Sequence, residues 1–340
     1  MPFKPVRIAG TRRQIGQALG KLARPLMAVY LDQSTTWRAL RPWRGHAYLQ
    51  ELAGHAQEAL PGVWEEFEGL AEGLRMPADD LLLWHCRGDL LHKTTDGCTS
   101  VALQAAGGAR WIAHNEDGDP YLYGRCPVVD VQPDDAPGYV SFYYPGSLPG
   151  HTFGANRAGL VQTINNLRTR ARRAGVPRMF LARAVLDCGT LDQAVELLAH
   201  MPRAGAFHHT LGAAGDARLL SIEATPGACS VETVARRYGH ANHLIHQGTQ
   251  DIPQVITDSS RARQNRIDAL VDTWNEATGE ADLVAALHDT DGNLPILRRA
   301  ADDPDEENTL ATAVFALDDE HVTLRIYDRK ARAAQDISVK

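Results

Sequence analysis

Reactive chemistry in this chain centres on a cysteine that follows a glycine, in Thr95-Asp96-Gly97-Cys98-Thr99-Ser100. A cut between Gly97 and Cys98 would make Cys98 the first residue of a new chain. That residue would then carry a thiol, titrating near ~8.5, and a free α-amine, titrating near ~7.7–8.0. Each can pass a proton to the other at neutral pH, which is how a nucleophile uses its own terminal amine as base. Glycine before cysteine is also an ordinary small buried pair, so the rest of the chain has to decide between the two.

Three further stretches carry chemistry-bearing side chains. His114-Asn115-Glu116-Asp117-Gly118-Asp119 packs three carboxylates and an amide together. Asp117 is the candidate to orient the nucleophile's amine or to grip a substrate amine, and Asn115 and Glu116 are candidates to contact substrate. A loop of solvated acids is the plainer alternative. The spacing lacks the alternating acids and closing glutamate of a calcium loop. His240-Ala241-Asn242-His243-Leu244-Ile245-His246 contains H-x-x-H without the glutamate of a zinc-protease helix. No nearby acid or cysteine completes a four-ligand set, so no metal is expected. Within it, Asn242 can donate its side-chain amide to a tetrahedral oxyanion, a contact that lowers a barrier by ~3–4 kcal/mol in a dry site. His208-His209 offers either a base for a papain-type Cys–His pair or a substrate contact. Between Phe207 and Leu211, the pair also reads as a strand with one histidine turned inward.

Helices dominate before Cys98 and strands after it. Val6-Arg7-Ile8 is strand-like, and Ile15, Ala18, Leu19, Leu22 and Leu26 then fall at helical spacing behind a Thr11 cap. Pro25 should kink or end that helix. The Leu-, Ala- and Glu-rich tract from His46 to Arg75 should divide into two helices at Pro61-Gly62. Asp79 or Asp80 should cap a third, running to about Leu91. Beyond Cys98, runs at 101–104 and 110–114 flank Gly107-Gly108 as a hairpin. Strands are expected at 140–144, 152–156, 160–164, 209–211 and 218–223, near Val231, and in a final hairpin at 310–317 and 321–327. Helices are expected at 177–188, 191–200, 259–275 and 281–288. This order predicts an α+β layered domain and excludes a doubly wound parallel sheet. The segments 1–97 and 98–340 should together form one compact domain.

The 340 residues carry a net charge of −7 with 44% apolar content, enough for a large core and no attraction to nucleic acid. The arginine run Arg168-Thr169-Arg170-Ala171-Arg172-Arg173 reads as a solvated loop or an anion-facing edge. No segment has the ~18 apolar residues of a membrane span, and Met1 to Ala9 lacks the apolar stretch of a secretory signal. Five cysteines without a C-x-x-C pair fit free thiols in a reducing cytoplasm.

Taken in order, these residues resemble the penicillin acyltransferase-like family of self-processing cysteine N-terminal nucleophile (Ntn) hydrolases, of isopenicillin N acyltransferase and carcinine hydrolase type. Gly10-Thr11 with Gly16 and Gly20 is similar to the family's opening glycine-spaced helix. Glu65 to Gly73 resembles the helix before the cut. Asp96-Gly97-Cys98-Thr99-Ser100 resembles the processing motif, and Trp111 to Asp117 its second strand. Gly154 to Leu160 with Asn165 and Leu167, Ile222 to Pro226, Ala241-Asn242-His243 and Thr309-Leu310-Ala311 resemble later segments. The resemblance implies a four-layer αββα sandwich and autoproteolysis before Cys98. It implies amide hydrolysis or acyl transfer through a Cys98 thioester, with no cofactor and with Asn242 at the oxyanion. The partners implied are a small amide or acyl substrate and the chain's own cleaved N-terminal segment. The chain departs from the family pattern at Glu116, where an aromatic is usual, and at His208-His209. It departs again at the shortened Pro295-Ile296-Leu297-Arg298-Arg299, where either arginine, Arg298 first, is the candidate substrate contact.

Overall fold

A computed structural model describes residues 3–91, 96–105, 107–302, 304–332 and 336–340. Thr95, which opens the cysteine stretch, lies outside the described residues. Strand β1 (Val6–Gly10) leads into helix α1 (Arg12–Gln33). Thr11 caps α1 in a reciprocal capping box with Gln14, satisfying two otherwise orphaned N–H groups. Of the two expectations for Pro25, an end to the helix is not met, because α1 runs through it; its apolar stripe of Ile15, Leu19, Ala23, Met27 and Tyr30 is buried on both sides of the proline, so tertiary packing outweighs the lost backbone bond. Helices α2 (Thr35–Leu40), α3 (Ala47–Ala59) and α4 (Pro61–Leu74) follow, with Pro61 in the first turn of α4. Asp79 and Asp80 sit in the first turn of α5 (Ala78–His85) but do not cap it, because Pro77 holds that position. A short α6 (Arg87–Leu90) completes the segment.

Helices α1 and α4 touch backbone to backbone. A Cβ on Gly16 would lie 1.9 Å from the Glu66 carbonyl oxygen, and one on Gly69 would lie 2.2 Å from that of Arg13. Gly20 and Gly73 repeat the arrangement one turn on, so the glycine spacing is the physical condition for this pair.

From Cys98 onward the chain builds two sheets. The first strands are β2 (Asp96–Gln104), β3 (Arg110–Gly118), β4 (Val128–Pro133), β5 (Tyr139–Phe142), β6 (Phe153–Asn156) and β7 (Leu160–Asn166). Helices α7 (Arg178–Val185) and α8 (Leu191–His200) precede β8 (Phe207–Ala213), β9 (Asp216–Ala224), β10 (Cys229–Thr233) and β11 (Arg237–His240). Helices α9 (Asp258–Asp272) and α10 (Glu280–Leu287) lead to β12 (Asn308–Leu317), β13 (Val322–Tyr327) and β14 (Ile337–Ser338). One sheet has eight strands in the order β1-β4-β5-β6-β7-β8-β9-β10, and the other six in the order β11-β2-β3-β12-β13-β14. All pairings are antiparallel except β1 with β4.

The architecture is therefore α+β, with two sheets and helices. Ala102, Ile112 and Phe315 of the smaller sheet share one apolar cluster with Val128, Val140, Phe153 and Val161 of the larger. Val101, Leu103 and Ala113, on alternate positions of the same strands, pack instead with Ile267, Leu283 and Leu287 of α9 and α10. Residues of α1, α3, α4, α5 and α7 cluster with Val129, Val131 and Tyr139. Among the described residues, no helix is long and apolar enough to cross a membrane.

A buried ion network joins the first segment to the rest. Glu66 of α4 and Arg183 of α7 pair at 2.8 Å, both with fully buried side chains, and Arg12 pairs with Asp187 at 3.0 Å. Strand β4 and the short β11 were not anticipated. Pro127 precedes β4 and Pro133 ends it, and its tertiary partners β1 and β5 make it a sheet member. Arg168 departs from the solvated reading: it is buried, while Arg170 is exposed.

Candidate active site

Side-chain alternation along β2 and β3 sorts the candidate residues onto two faces. Cys98 stands opposite Glu116, Ser100 opposite His114, and Gly97 opposite Asp117. Cys98, Ser100, His114 and Glu116 therefore share the face that carries Ala102 and Ile112 toward the larger sheet. Gly97, Thr99, Asn115 and Asp117 share the face turned toward α9 and α10.

On the first face, the Cys98 thiol lies 3.9 Å from Glu116 Oε2. That oxygen is 3.1 Å from His114 Nε2, and Tyr144 donates to Oε1 at 2.6 Å. His114 Nδ1 meets Ser100 Oγ at 2.8 Å, and Ser100 donates to Asn165 Oδ1 at 2.6 Å. Burial pushes the Cys98 thiol well above its ordinary range, and the charges of Glu116 and Asp117 act in the same direction. Burial also drives His114 down to about 3, which keeps its ring neutral. A sulfur, a ring nitrogen and a carboxylate oxygen thus lie within 4.8 Å of one another. Their types and spacing suit a metal ion as well as a proton relay.

The Cys98 nitrogen has its own partner. Strand β11 pairs with β2 only as far as His240 opposite Ser100. Past that point Asn242 supplies by side chain what a ladder carbonyl would have supplied, accepting from Cys98 N at 2.9 Å. Arg263 of α9 donates to the same Oδ1 at 2.6 Å, and Asn242 Nδ2 donates to the Asn166 carbonyl at 3.0 Å. Two donors on one end and an acceptor on the other fix the amide orientation. The oxyanion expectation therefore needs restating: Asn242 turns its oxygen to Cys98, and one N–H of its nitrogen is already engaged. Arg263 also donates to the Cys98 carbonyl and, at 2.9 Å, to Thr99 Oγ1. Glu223 positions this loop through the Ile245 N–H at 2.7 Å and His240 Nε2 at 2.9 Å. Burial opposes its charge, but the His240 hydrogen bond and the neighbouring histidines hold it at about 2.

On the second face, Asp117 accepts from Thr309 Oγ1 at 2.6 Å, so it lies across the sheet from the thiol. Burial raises its pKa, against the pull of Arg263, Arg298 and Arg329. Asn115 is committed to the Leu287 carbonyl and to Thr312 Oγ1, both at 2.6 Å. Of the two candidate arginines, Arg298 is buried and donates to Ser259 Oγ at 2.9 Å, whereas Arg299 is exposed. His208 bonds Asn165 and Ser221 and stacks on His240 at 3.6 Å. His209 meets Gln162 at 3.2 Å. Both rings are engaged within the eight-stranded sheet, and neither is bonded to Cys98.

Sequence reasoning missed His114, Tyr144, Arg263 and Thr309. The period-2 alternation of His114-Asn115-Glu116-Asp117 could have shown that Glu116, not Asp117, shares the Cys98 face. Arg263, on a polar helix 165 residues away, left no local signal.

Comparison with known proteins places the chain. A model of the acyl-coenzyme A:6-aminopenicillanic acid acyl-transferase family matches residues 104–331, and the chain belongs to that family. It is an enzyme of amide hydrolysis or acyl transfer. It is 23% identical over 360 residues to the β-alanyl-dopamine/carcinine hydrolase of Drosophila melanogaster, covering 93% of this chain and 90% of that protein. The family match begins after Cys98 and takes in Glu116, Asp117 and Asn242.

Proposed function

We propose that the protein is a self-cleaving amidohydrolase of four-layer αββα Ntn architecture, with Cys98 as the N-terminal nucleophile of the mature enzyme. The observation that carries this reading is the Cys98 nitrogen, which already has a dedicated side-chain acceptor at 2.9 Å in Asn242. An internal strand residue needs only a ladder carbonyl; a catalytic α-amine needs an oriented anchor.

In the uncleaved chain the thiol has no amine to serve it, and Glu116 Oε2 at 3.9 Å is the acceptor for its proton. Sγ attacks the Gly97 carbonyl carbon, the C–N bond to Cys98 breaks, and the nitrogen takes the proton from Glu116. Water then hydrolyses the Gly97 thioester, leaving a carboxylate on Gly97 and a free thiol and amine on Cys98. In each turnover the amine, held by Asn242 Oδ1, takes the thiol proton while Sγ attacks a substrate amide. The second N–H of Asn242 and a backbone N–H stabilise the oxyanion. The leaving amine departs protonated, and water clears the acyl thioester. Asp117 binds substrate charge from the opposite face. Hydrolysis is favoured over transfer because water is always at hand.

The cleaved N-terminal segment stays docked through Glu66–Arg183 and the shared apolar cluster. Free thiols throughout suit a reducing cytoplasm. A papain-type pair with His208 or His209 has no support in the bonding of either ring. Denatured wild-type protein should give two chains, the larger beginning at Cys98, and Cys98→Ala should give one. Wild-type protein that stays a single, inactive chain would overturn the proposal.

A further inference from the structure

Of the side chains gathered around the Cys98 thiol, His114 has no part in the proposed chemistry, and the hydrogen bonds around it fix how it presents its ring. Asn165 Nδ2 donates to the His240 carbonyl at 3.1 Å, which turns Oδ1 toward Ser100. Ser100 has a single hydroxyl proton, and it goes to that Oδ1 at 2.6 Å. The Ser100 oxygen therefore accepts from His114 Nδ1 at 2.8 Å, so the ring carries its proton there and Nε2 presents a lone pair. Nε2 faces Glu116 Oε2 at 3.1 Å, and the Cys98 sulfur lies 3.9 Å from the same oxygen. Two lone-pair atoms that face each other in a buried site repel unless a positive charge lies between them. A proton supplies that charge to the nitrogen and the oxygen; a metal ion serves all three atoms at once.

The three donors are one sulfur, one nitrogen and one oxygen within 4.8 Å of one another, all on buried residues. Around a tetrahedral zinc ion, with bonds of ~2.0–2.3 Å, a sulfur and an oxygen lie ~3.6 Å apart and a nitrogen and an oxygen ~3.3 Å apart. The 3.9 and 3.1 Å found here differ from those separations by a few tenths of an ångström. The scaffold is a sheet: Cys98 and Glu116 are direct cross-strand partners, as are Ser100 and His114 two residues on. Tyr144 holds Glu116 Oε1 at 2.6 Å, which leaves Oε2 toward the cluster. The chain from His114 through Ser100 to Asn165 is the outer shell that orients a metal-bound imidazole in zinc sites.

We infer that Cys98, His114 and Glu116 form a zinc site, and that zinc bound there inhibits the enzyme reversibly. The ion bonds Sγ, Nε2 and Oε2, the thiol proton leaves to solvent, and the fourth position is open to water. Zinc takes the sulfur lone pair that must attack a carbonyl and, before cleavage, the oxygen that receives the thiol proton, so metal and catalysis exclude each other. Thiolate, imidazole and carboxylate together select zinc over magnesium and calcium, which take oxygen ligands. Substrate must reach the same sulfur, so the ion has a path to it. The inhibition rests on the proposed role of Cys98 as nucleophile; the coordination does not.

Zinc alone is the probe, titrated into the purified protein, with cobalt as its spectroscopic stand-in. A single ion should bind each chain, and cobalt should give a thiolate-to-metal charge-transfer band in the near ultraviolet. Amide hydrolysis should fall to background at saturating zinc and return on adding a chelator. Cys98→Ala should lose the band, while Cys188→Ser and Cys229→Ser, at the two half-buried thiols, should keep it. His114→Gln should weaken zinc binding on the order of a hundredfold, and Ser100→Ala, which releases the ring from its outer shell, by ~10–100-fold. Cobalt without a thiolate band, or zinc binding that Cys98→Ala and His114→Gln leave intact, would mean an adventitious ion only and overturn the site. The wild-type spectrum decides this even where a variant does not fold. Hydrolysis undiminished with the band present would overturn the inhibition together with Cys98 as nucleophile. Intact mass on the same samples reports the cut before Cys98 separately, so failure of the zinc site and failure of the cleavage reading are distinguishable.

Discussion

Gly97→Ala puts the smallest possible side chain at the proposed cleavage site. Gly97 is not among the positive-φ glycines, so alanine adds no backbone strain there and the effect is steric. The added Cβ would lie 1.8 Å from Glu307 Oε2 and 2.9 Å from its carboxyl carbon. Glu307 cannot swing into solvent, because it is 1% exposed and held by Arg168. Overpacking of this kind costs about 1–3 kcal/mol, which slows cleavage by roughly 5- to 150-fold if the strain falls on the reactive conformation. Cleavage of freshly synthesised protein, followed on denaturing gels, measures the rate directly. Glu307→Ala in the Gly97→Ala background removes the obstructing carboxyl group and should restore much of it. Wild-type cleavage by Gly97→Ala, or no relief in the double variant, refutes the steric reasoning.

Other perturbations separate the remaining roles. Glu116→Gln removes the acceptor beside the thiol and should slow self-cleavage by about a hundredfold or more, while Cys98 stays protected from alkylation. Asn242→Asp keeps an oxygen for the Cys98 nitrogen but loses the N–H donor, so cleavage should survive while kcat falls by ~100-fold or more; Asn242→Ala should lose both. Glu66→Ala leaves Arg183 buried beside Asp187 alone, and a drop of about 3–5 kcal/mol in unfolding free energy is expected by chemical denaturation. Glu307 titrates near 8 in the folded chain and near ~4.3 when unfolded. Between those values the folded state holds one more proton, so stability should decrease as pH rises, by roughly 1.4 kcal/mol per pH unit from this group. Urea midpoints at pH 5 to 8 should show that slope flattened in Glu307→Gln.

Local signals carried the sequence a long way. Thr11 capping α1, the break at Pro61 and the β2–β3 hairpin were all written in neighbouring residues. What escaped was decided at a distance. Pro25 fits inside α1 because the helix face is buried against α4, and β4 is a strand because β1 and β5 lie on either side of it. The same limit shaped the site. Cys98 and Asn242 stand out by type, but that Asn242 presents its oxygen follows from Arg263 and Asn166. Glu307 follows Asp305 and Glu306 with no local signal to single it out, and only the fold brings it over Gly97. The Arg168 side chain reverses its expected exposure for the same reason.

Intact mass and N-terminal sequencing of denatured protein test the central claim most directly. Wild-type chains should appear as a 97-residue segment and a larger chain that begins at Cys98, and Cys98→Ala as one full-length chain. A single full-length wild-type chain that hydrolyses amides would contradict the account, because the nucleophile would then be working without the α-amine on which the mechanism depends.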